Sequence, residues 1–404
     1  MKCASELGVT FSPEKYNLMH FKRPYSRGPD CALIPKIPGF SKKPEAHLRI
    51  LGVEVDKGLR WEEHIQERKS KVKAEMNHLL RISGSIWGPK LKTMKQLYVT
   101  KIRPIITYAC GSWFIPIHKE VNWGISQKRL GILESLQYQC LLQISGAMRG
   151  TSRIVLEKEL NIDSIRVTLC RLAATHRAKM IDTPDHDALV KARTSLSKPD
   201  DDRAHPYTLL DLGGRHLRQR TWKGMVAELG EAKAAANWSD PKERNKALKA
   251  YCMGDTFRGS EAMWDEYRQK RAQKHATVPP AMKGPWGADA FLRCYSDLPR
   301  AQTSILLQCR TGVIGLNDYL FSIKQVDSPQ CPCGKGRHTA FHLFTQCERL
   351  RGPRAALTEK VGHNDFYRLL IEQPKAASDW AITHFDLNQY VWPRENGPSD
   401  VAEE

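Results

Sequence analysis

A long helical periodicity is the feature that most constrains how this chain can fold. From Trp61 to about Ile181, apolar residues recur every three or four positions, as one face of an amphipathic helix requires. Pro89, directly after Gly88, suits a helix start, and Pro104 ends or kinks the helix before it. The residues that share a face are Ile65, Val72, Met76 and Leu79, then Leu91, Met94, Tyr98 and Ile102, and then Leu130, Leu133, Leu136, Leu141 and Ile144. This pattern predicts a predominantly helical fold.

A strand-like segment precedes these helices and places the chain in the α+β class. Leu48 to Ile50 and Val53 to Val55 are strand-like runs on either side of Gly52, and turn residues follow them. We therefore expect a β-hairpin within residues 1–60. A helical domain over residues 61–181 is expected to follow it.

Composition divides the downstream half of the chain. Residues 182–206 are polar, contain three prolines and lack a period, which predicts a linker. The rest of the segment 182–285 is basic and Ala-rich, and its sequence does not decide whether it folds. Helical periodicity returns within residues 286–355, which end in a cysteine cluster, and we treat residues 356–404 as a C-terminal tail.

The cysteine distribution indicates a metal site. Three of the eleven cysteines crowd together in the order Cys331, Cys333, His342, Cys347, a C-x-C-x8-H-x4-C pattern. Two thiolates in a tight turn, followed by a His and a Cys one helical turn apart, supply the four ligands of a structural zinc ion. His338 is an alternative to His342 as a ligand. The alternative to a metal site is that the three cysteines lie close together by chance. An open catalytic zinc site is disfavoured because all four ligands come from the chain.

The start of the sequence lacks the apolar core of a secretory signal, and no apolar run of 18 residues occurs. We expect reduced cysteines, no membrane span and an intracellular location, in the nucleus or cytoplasm.

Net charge points to a polyanion as partner. The chain carries 63 Lys and Arg against 44 Asp and Glu, a formal net charge of +19. Nine basic and two acidic residues lie between His64 and Lys101, on helices whose opposite face is apolar. A basic helical face suits a phosphate backbone, although a merely solvated face fits the charge equally well. The candidate nucleic-acid-binding residues are Arg68, Lys69, Lys71, Lys73, Lys90, Lys92 and Lys95.

Carboxylate patterns do not predict a catalytic site. A polymerase needs two or three carboxylates that converge on Mg²⁺, normally in a turn between apolar strands. The aspartate run at 200–202 lies in the predicted linker without strand residues beside it, so we interpret it as a solvated charge run. We therefore assign no catalytic residues.

A series of motifs, taken in order, resembles the carboxyl-terminal half of non-LTR (LINE-like, Jockey-type) retrotransposon reverse transcriptases, especially those of fungi. The motifs cover about residues 1–180 and 285–355. They are Leu7-Gly-Val-Thr-Phe11 with Leu18-Met-His-Phe21, Leu51-Gly52-Val53 with Trp61 and His64, Ile102-Arg-Pro104, Tyr108-Ala-Cys-Gly-Ser-Trp113, Arg300-Ala-Gln-Thr-Ser-Ile-Leu-Leu-Gln308, Arg310-Thr-Gly312, and Asp327-Ser-Pro329 before the cysteines.

The resemblance implies a remnant of the polymerase palm in residues 1–60, with a primer-grip-like hairpin at Leu51, Gly52 and Val53. It implies a thumb over residues 61–181 and a zinc knuckle at the end of residues 286–355. Family members carry their metal-binding aspartates upstream of the matching segment, and no ribonuclease H signature occurs in residues 182–285. Mg²⁺ is therefore expected only if another chain completes a catalytic palm.

The resulting expectation is a truncated, retrotransposon-derived fragment of an RNA-directed DNA polymerase. It would bind an RNA/DNA template-primer duplex, and its knuckle would bind single-stranded nucleic acid. One alternative is that the thumb and knuckle complement a palm from another chain, and another is a relic without specific binding. The oligomeric state stays open.

Overall fold

The computed structural model describes residues 8, 12, 15–21, 33–34, 41–115, 125–196, 206–274, 278–287 and 293–391. The predicted class is confirmed: the described residues are predominantly helical, with one two-stranded antiparallel sheet. The aspartate run at 200–202, and residues 7 and 9–11 of the first motif of the family resemblance, lie outside the described residues.

The predicted β-hairpin is present. Strand β1 (His47–Ile50) pairs antiparallel with β2 (Val53–Asp56). Leu51 and Gly52 connect the strands with φ angles of 47° and 81°. Two left-handed residues in succession form a type I′ turn, whose twist matches that of the strands. The Asp56 carboxylate closes the hairpin, since it accepts hydrogen bonds from the backbone N–H groups of the residues that follow.

The helices of the first region bury the predicted apolar faces. All thirteen residues that the sequence analysis placed on those faces are buried. A π-helical turn (Tyr98–Ile102) joins two of the helices just before Pro104, which has no N–H to continue the ordinary ladder. The helices are α1 (Glu62–Leu80), α2 (Leu91–Leu97), α3 (Arg103–Ile106), α4 (Cys110–Trp113), α5 (Gln127–Ser145), α6 (Arg153–Glu159) and α7 (Ile165–Met180).

The expected linker contains a helix instead, α8 (Pro184–Leu196). Its one proline and its first two acidic residues are helix-start residues rather than loop residues. Thr183 Oγ1 accepts a hydrogen bond from the N–H of His186 at 3.3 Å. Pro184 occupies the first turn of the helix, where a backbone N–H has no partner within the helix, so its missing N–H costs no hydrogen bond. Asp185 and Asp187 complement the helix dipole in the same turn.

The middle segment is helical as well. It contains α9 (Pro206–Leu229), α10 (Glu231–Ser239) and α11 (Pro241–Lys274), and both α9 and α11 pack against α7. Trp264 of α11 is fully buried. Its indole N–H donates to the carbonyl of Gly284 at 3.0 Å. The segment therefore shares a packed interface with the first region.

The C-terminal region extends further than the sequence analysis expected. Residues 356–391 are not a tail, because buried side chains at helical spacing, such as Leu357, Phe366, Leu370 and Trp380, hold them against the core. The helices are α12 (Arg300–Thr311), α13 (Asn317–Ser322), α14 (Ala340–Thr345), α15 (Arg351–Val361), α16 (Phe366–Glu372) and α17 (Pro374–His384). Short 3₁₀ turns lie at Pro280–Met282, Glu348–Leu350 and Asn388–Tyr390.

Helix α12 connects the first and last regions, and every one of its residues is buried. Three of its side chains, four positions apart, contact the end of α5 and the loop after α1. Arg300 donates to the carbonyls of Gly84, Gln143 and Ile144. Ser304 and Gln308 donate to the carbonyls at positions 85 and 146. One hydrophobic core consequently contains residues from both regions.

A buried ion network fixes the same helix to α6. Arg310 and Glu159 form a bidentate ion pair, with N···O distances of 2.7 and 3.0 Å, and neither side chain is exposed. Lys158 Nζ lies 3.0 Å from the Glu159 carboxylate, and the Tyr295 hydroxyl donates to it at 2.7 Å. Three donors aimed at one carboxylate hold the pKa of Glu159 at about 2, against the opposing effect of its complete burial.

Candidate metal centre and basic groove

The four predicted ligands of the metal site meet in space. One ligand atom from each of Cys331, Cys333, His342 and Cys347 lies within 4.8 Å of the others. The Sγ atoms of Cys331 and Cys347 are 3.8 Å apart, and Cys333 Sγ lies 3.2 Å from His342 Nε2. Within the described residues, this is the only group of three or more His, Cys, Asp or Glu side chains close enough to share an ion.

These distances fit a tetrahedral ion better than a disulfide. With Zn–S bonds of about 2.3 Å and a Zn–N bond of about 2.0 Å, two sulfur atoms lie about 3.8 Å apart, and a sulfur and a nitrogen about 3.5 Å apart. A disulfide requires an S–S distance of about 2.05 Å, and the cysteines of the cluster are free. Three thiols and one imidazole are a soft donor set that suits zinc.

The loop that presents the first two ligands is shaped by its backbone. Gly334, with a φ of 74°, allows a turn in which its N–H donates to the carbonyl of Cys331 at 2.9 Å. The N–H of Lys335 then donates to Cys333 Sγ at 3.4 Å. This hydrogen bond favours the thiolate and lowers the pKa of Cys333 to about 6, whereas burial raises the pKa of Cys331 to about 12.

The third candidate ligand lies on the helix that follows, and the fourth lies two residues beyond its end. Thr339 caps α14, and its hydroxyl accepts the N–H of His342 at 3.1 Å. The N–H of Cys347 donates to the His342 carbonyl at 2.9 Å, which turns the chain back just after the helix ends. His342 is buried, and its Nδ1 atom has no hydrogen-bond partner among the described residues. The imidazole therefore presents Nε2 to the cluster.

The rival ligand His338 lies outside the cluster. Its Nδ1 atom accepts a hydrogen bond from the backbone N–H of Asn317 at 3.2 Å, at the start of α13. The carbonyl of His338 accepts the next N–H, that of Asp318, at 3.3 Å. His338 thus positions the start of α13, and the alternative that the sequence left open is resolved in favour of His342.

Only some of the candidate basic residues lie together. Lys69 and Lys73, one turn apart on α1, line two adjoining shallow depressions between α1 and α5 that share Leu136 and Gln139, and we call the two together the groove. Lys128, at the start of α5, lies on the same groove. The sequence analysis missed Lys128 because it is distant in sequence and lies outside the basic stretch. The other groove-lining side chains are uncharged, among them Asn77, Ser135, Gln139 and Gln143.

Other candidates lie elsewhere on the same region. Lys90 and Lys92 are exposed at the start of α2, and Lys95 is half-buried. Lys71 is exposed and forms an ion pair with Glu67 at 2.7 Å. None of these four residues lines the groove between α1 and α5.

Arg68 differs from the other candidates because it is buried, at 4% exposure. Its guanidinium pairs with Glu67, donates to the carbonyl of Gly52 at 3.3 Å and lies over the Tyr108 ring. It holds the hairpin against α1 and does not face solvent as a phosphate contact would. The prediction that Arg68 contacts a phosphate is corrected accordingly.

The primer-grip-like residues form the tip of the hairpin. The Tyr108 hydroxyl donates to the carbonyl of Leu51 at 2.9 Å, and a side chain at Gly52 would press against the Tyr108 ring. Val53 is buried, whereas Leu51 is 91% exposed and Ile50 is 50% exposed. The hairpin tip is therefore apolar and exposed to solvent, and the Tyr108 hydrogen bond fixes its backbone.

Comparisons with known proteins do not identify the chain. No family model, no curated protein and no solved structure matches it. Among the described residues, no helix has both the length and the apolar character needed to cross a membrane.

Proposed function

We propose that this chain is a nucleic-acid-binding fragment related to non-LTR retrotransposon reverse transcriptases. It would hold the phosphate backbone of an RNA/DNA duplex in the groove between α1 and α5, and a structural zinc ion would order its C-terminal knuckle. The groove is the observation that carries the proposal. Three lysines line it, two in one depression and one in the next, and its remaining lining side chains are uncharged.

The chemistry of the groove favours a phosphate backbone over a solvated charge run. Lys69, Lys73 and Lys128 come from two helices, so their charges border the groove from both sides rather than forming a single stripe on one helix. Amide side chains beside them can donate to phosphate oxygens and sugars without reading sequence. Helices α1 and α5 pack directly on one another, which fixes the spacing of the charges.

Binding of the full chain to a fluorescein-labelled RNA/DNA duplex tests the groove. We expect the Lys69→Ala/Lys73→Ala/Lys128→Ala variant to lose at least tenfold in affinity at about 0.1 M salt, because it loses three phosphate contacts. The matched control is Lys242→Ala/Lys246→Ala/Lys249→Ala, which removes three exposed lysines from α11. Equal losses of affinity in the two variants would show only a nonspecific effect of net charge and would contradict the assignment of the groove.

Zinc binding by the knuckle is the second part of the proposal. The four side chains at positions 331, 333, 342 and 347 would hold one Zn²⁺ per chain in a closed structural site, with no open position for catalysis. Metal analysis of the purified protein should give about one equivalent of zinc, and Cys347→Ser should lose it. Full zinc content in a Cys333→Ser/Cys347→Ser variant would refute the assignment.

The apolar hairpin tip favours a second candidate function. Exposed Ile50 and Leu51, fixed by Tyr108 and Arg68, are suited to pack against a partner surface such as a polymerase palm from another chain. A polymerase domain whose activity rises on addition of this chain, but not of its Leu51→Asn variant, would support this function. Polymerase activity that does not rise on addition of the chain would refute this second function.

A further inference from the structure

The loop between α1 and α2 exposes three large apolar side chains. Leu80, Ile82 and Trp87 are each 49% exposed, and we call them the loop patch. The N–H of Gly84 donates to the carbonyl of Trp87 at 3.0 Å, and a Cβ atom on Gly88 would lie 2.7 Å from the Ile82 carbonyl oxygen. The two ends of the loop therefore touch, which brings Ile82 and Trp87 close together in space.

Buried side chains of α12 fix the backbone under the loop patch. Arg300 donates to the carbonyl of Gly84 at 3.1 Å, and Ser304, one turn further along α12, donates to the carbonyl of Ser85. Both α12 side chains are buried. Because the backbone of the loop is already ordered, a segment that covers the loop patch does not have to order it first.

The chain around the loop patch is positively charged. Arg81 lies within the loop, Lys90 and Lys92 follow it directly, and all three are exposed. From position 76 to position 119 the sequence contains seven Lys and Arg but no Asp or Glu. Leu80 and Ile82 are aliphatic and offer no ring on which a base could stack. A segment that covers the loop patch should therefore be acidic and partly apolar.

The last described residues lie next to this loop. Gln389 donates to the side-chain oxygen of Gln308 at 3.2 Å, two turns along α12 from Arg300. Tyr390 is buried, and its hydroxyl lies close enough to the Arg300 guanidinium for their charges to interact. Val391 is 38% exposed. Since Arg300 links Tyr390 to the loop, the chain that follows Val391 starts beside the loop patch.

The sequence that follows has the composition that the loop patch requires. Residues 392–404 lie outside the described residues, and this segment contains four acidic residues against one arginine. Two apolar residues, Val401 and Ala402, stand among the acids in the same run. Thirteen extended residues span at most about 43 Å, which is ample for a site that one side chain, Arg300, connects to Tyr390. The acidic residues are Glu395, Asp400, Glu403 and Glu404.

We propose that residues 392–404 of this chain occupy the loop patch. The apolar residues of the segment would cover Ile82 and Trp87, and its acidic residues would pair with Lys90 and Lys92. Because the segment is tethered beside its site, its effective concentration there is about millimolar, so a contact too weak to hold a separate peptide is sufficient. None of these residues lines the groove between α1 and α5, so the inference does not rest on the proposed nucleic-acid-binding function.

Photo-cross-linking of the full chain tests the contact. Ile82→p-benzoylphenylalanine places a photoreactive group on the loop patch. We expect its main cross-link in the monomeric protein to fall within residues 392–404, as identified by mass spectrometry. Met253→p-benzoylphenylalanine is the matched control, because Met253 is an apolar residue of α11 with the similar exposure of 50%, and it should not cross-link that segment.

Exchange of charges tests the pairing. Lys90→Glu/Lys92→Glu should lower the yield of the cross-link from position 82 at least fivefold at about 0.1 M salt, because like charges then face each other. Glu403→Lys/Glu404→Lys in the same chain should restore at least half of the yield. Lys242→Glu/Lys246→Glu makes the same change of net charge on α11 and should leave the yield unchanged.

Every other result overturns the inference. A main cross-link from position 82 to residues 41–391 would assign the loop patch to another part of the fold, and a cross-link between two chains would assign it to a second copy. No cross-link would mean that nothing covers the loop patch. Failure of Glu403→Lys/Glu404→Lys to restore the yield would show that the charges do not pair. Circular dichroism of each variant checks that a lost cross-link is not lost folding.

Discussion

Glu159 illustrates how much of this fold depends on single buried charges. Its carboxylate faces Arg310 and Lys158, and all three side chains are inaccessible to water. Removal of the one negative charge leaves two cations in a low-dielectric interior, where an unpaired charge is strongly unfavourable. The Arg310-Thr-Gly312 motif of the family resemblance thus has a structural explanation that the sequence did not reveal.

The Glu159→Gln variant should lose about 3–5 kcal/mol of stability, because it breaks a buried ion pair from one side. Chemical denaturation followed by circular dichroism measures the loss. Glu372→Gln, which breaks the exposed pair between Glu372 and Arg368, should cost no more than about 0.5 kcal/mol. A similar small loss for both variants would contradict this account of the network.

Glu157, two positions earlier, makes stability depend on pH. Burial raises its pKa to about 7, despite a hydrogen bond from Gln137 at 3.0 Å and an ion pair with Arg153 at 3.9 Å. A raised pKa means that the folded chain holds this proton more tightly than the unfolded chain. The stabilisation is therefore complete below the unfolded pKa of 4.5 and is lost as pH rises through about 7.

Relative to Glu157→Gln, the wild type should lose up to about 3 kcal/mol between pH 4.5 and pH 8, the equivalent of the pKa difference. Urea denaturation of both proteins at several pH values in this range provides the measurement. Parallel stability curves would show that the Glu157 carboxyl does not titrate there.

At the scale of elements, the hairpin turn contains a residue that is unfavourable for its backbone conformation. Leu51 adopts a left-handed backbone that costs a non-glycine residue about 1–2 kcal/mol, and it is almost fully exposed. Asn at this position would complete the Asn-Gly pair that type I′ turns favour. Leu51→Asn should therefore stabilise the hairpin by about 1 kcal/mol.

Amide hydrogen exchange across residues 47–56 tests the prediction, and exchange should slow by about fivefold in the variant. Ile50→Asn serves as the control, since that residue lies in β1 and gains nothing from a turn-forming side chain. Exchange that is unchanged or faster in Leu51→Asn would show that the turn is not strained.

The metal centre belongs to a larger element than an isolated knuckle. Cys331 and Cys347 pack in the same core cluster as Leu343 and Phe344, and the Phe344 ring lies 4.7 Å from that of Trp380 on α17. Loss of the proposed zinc ion should therefore loosen residues 327–352, because metal binding supplies the folding energy of such a loop. Helices α1 and α5 should be unaffected.

Hydrogen exchange before and after chelation at neutral pH checks this expectation, with Cys252→Ser as a variant that should keep its zinc. Faster exchange confined to residues 327–352 and to the part of α17 around Trp380 agrees with the account. Loss of protection in α5 would mean that the ion stabilises the whole molecule.

The elements differ in how well the sequence predicted them. The hairpin and the apolar faces of the first helices followed from local periodicity and turn residues, which depend on neighbouring positions only. The same holds for the four candidate metal ligands, since a short loop and the one helix that follows it bring them together. The helix at Pro184–Leu196 was missed because proline and aspartate at a helix start resemble a linker until the capping bond of Thr183 is known.

At the scale of the whole molecule, long-range contacts determined what the sequence could not predict. The basic stretch between residues 64 and 101 gave no sign that Arg68 is buried under Tyr108 or that Lys128 joins Lys69 and Lys73. The burial of α12 between two regions likewise depends on partners more than 150 residues away, such as Ile144 for Arg300. Periodicity identifies a face but not its partner.

The central claim is that the groove between α1 and α5 holds a phosphate backbone, and the salt dependence of binding tests it most directly. Titrations of the full chain with an RNA/DNA duplex at several salt concentrations give the slope of log K against log[salt]. Each phosphate neutralised contributes about −0.9 to this slope on a DNA duplex. The Lys69→Ala/Lys73→Ala/Lys128→Ala variant should therefore flatten the slope by about two to three, whereas Lys242→Ala/Lys246→Ala/Lys249→Ala should leave it unchanged. An identical slope in wild type and groove variant would contradict the account.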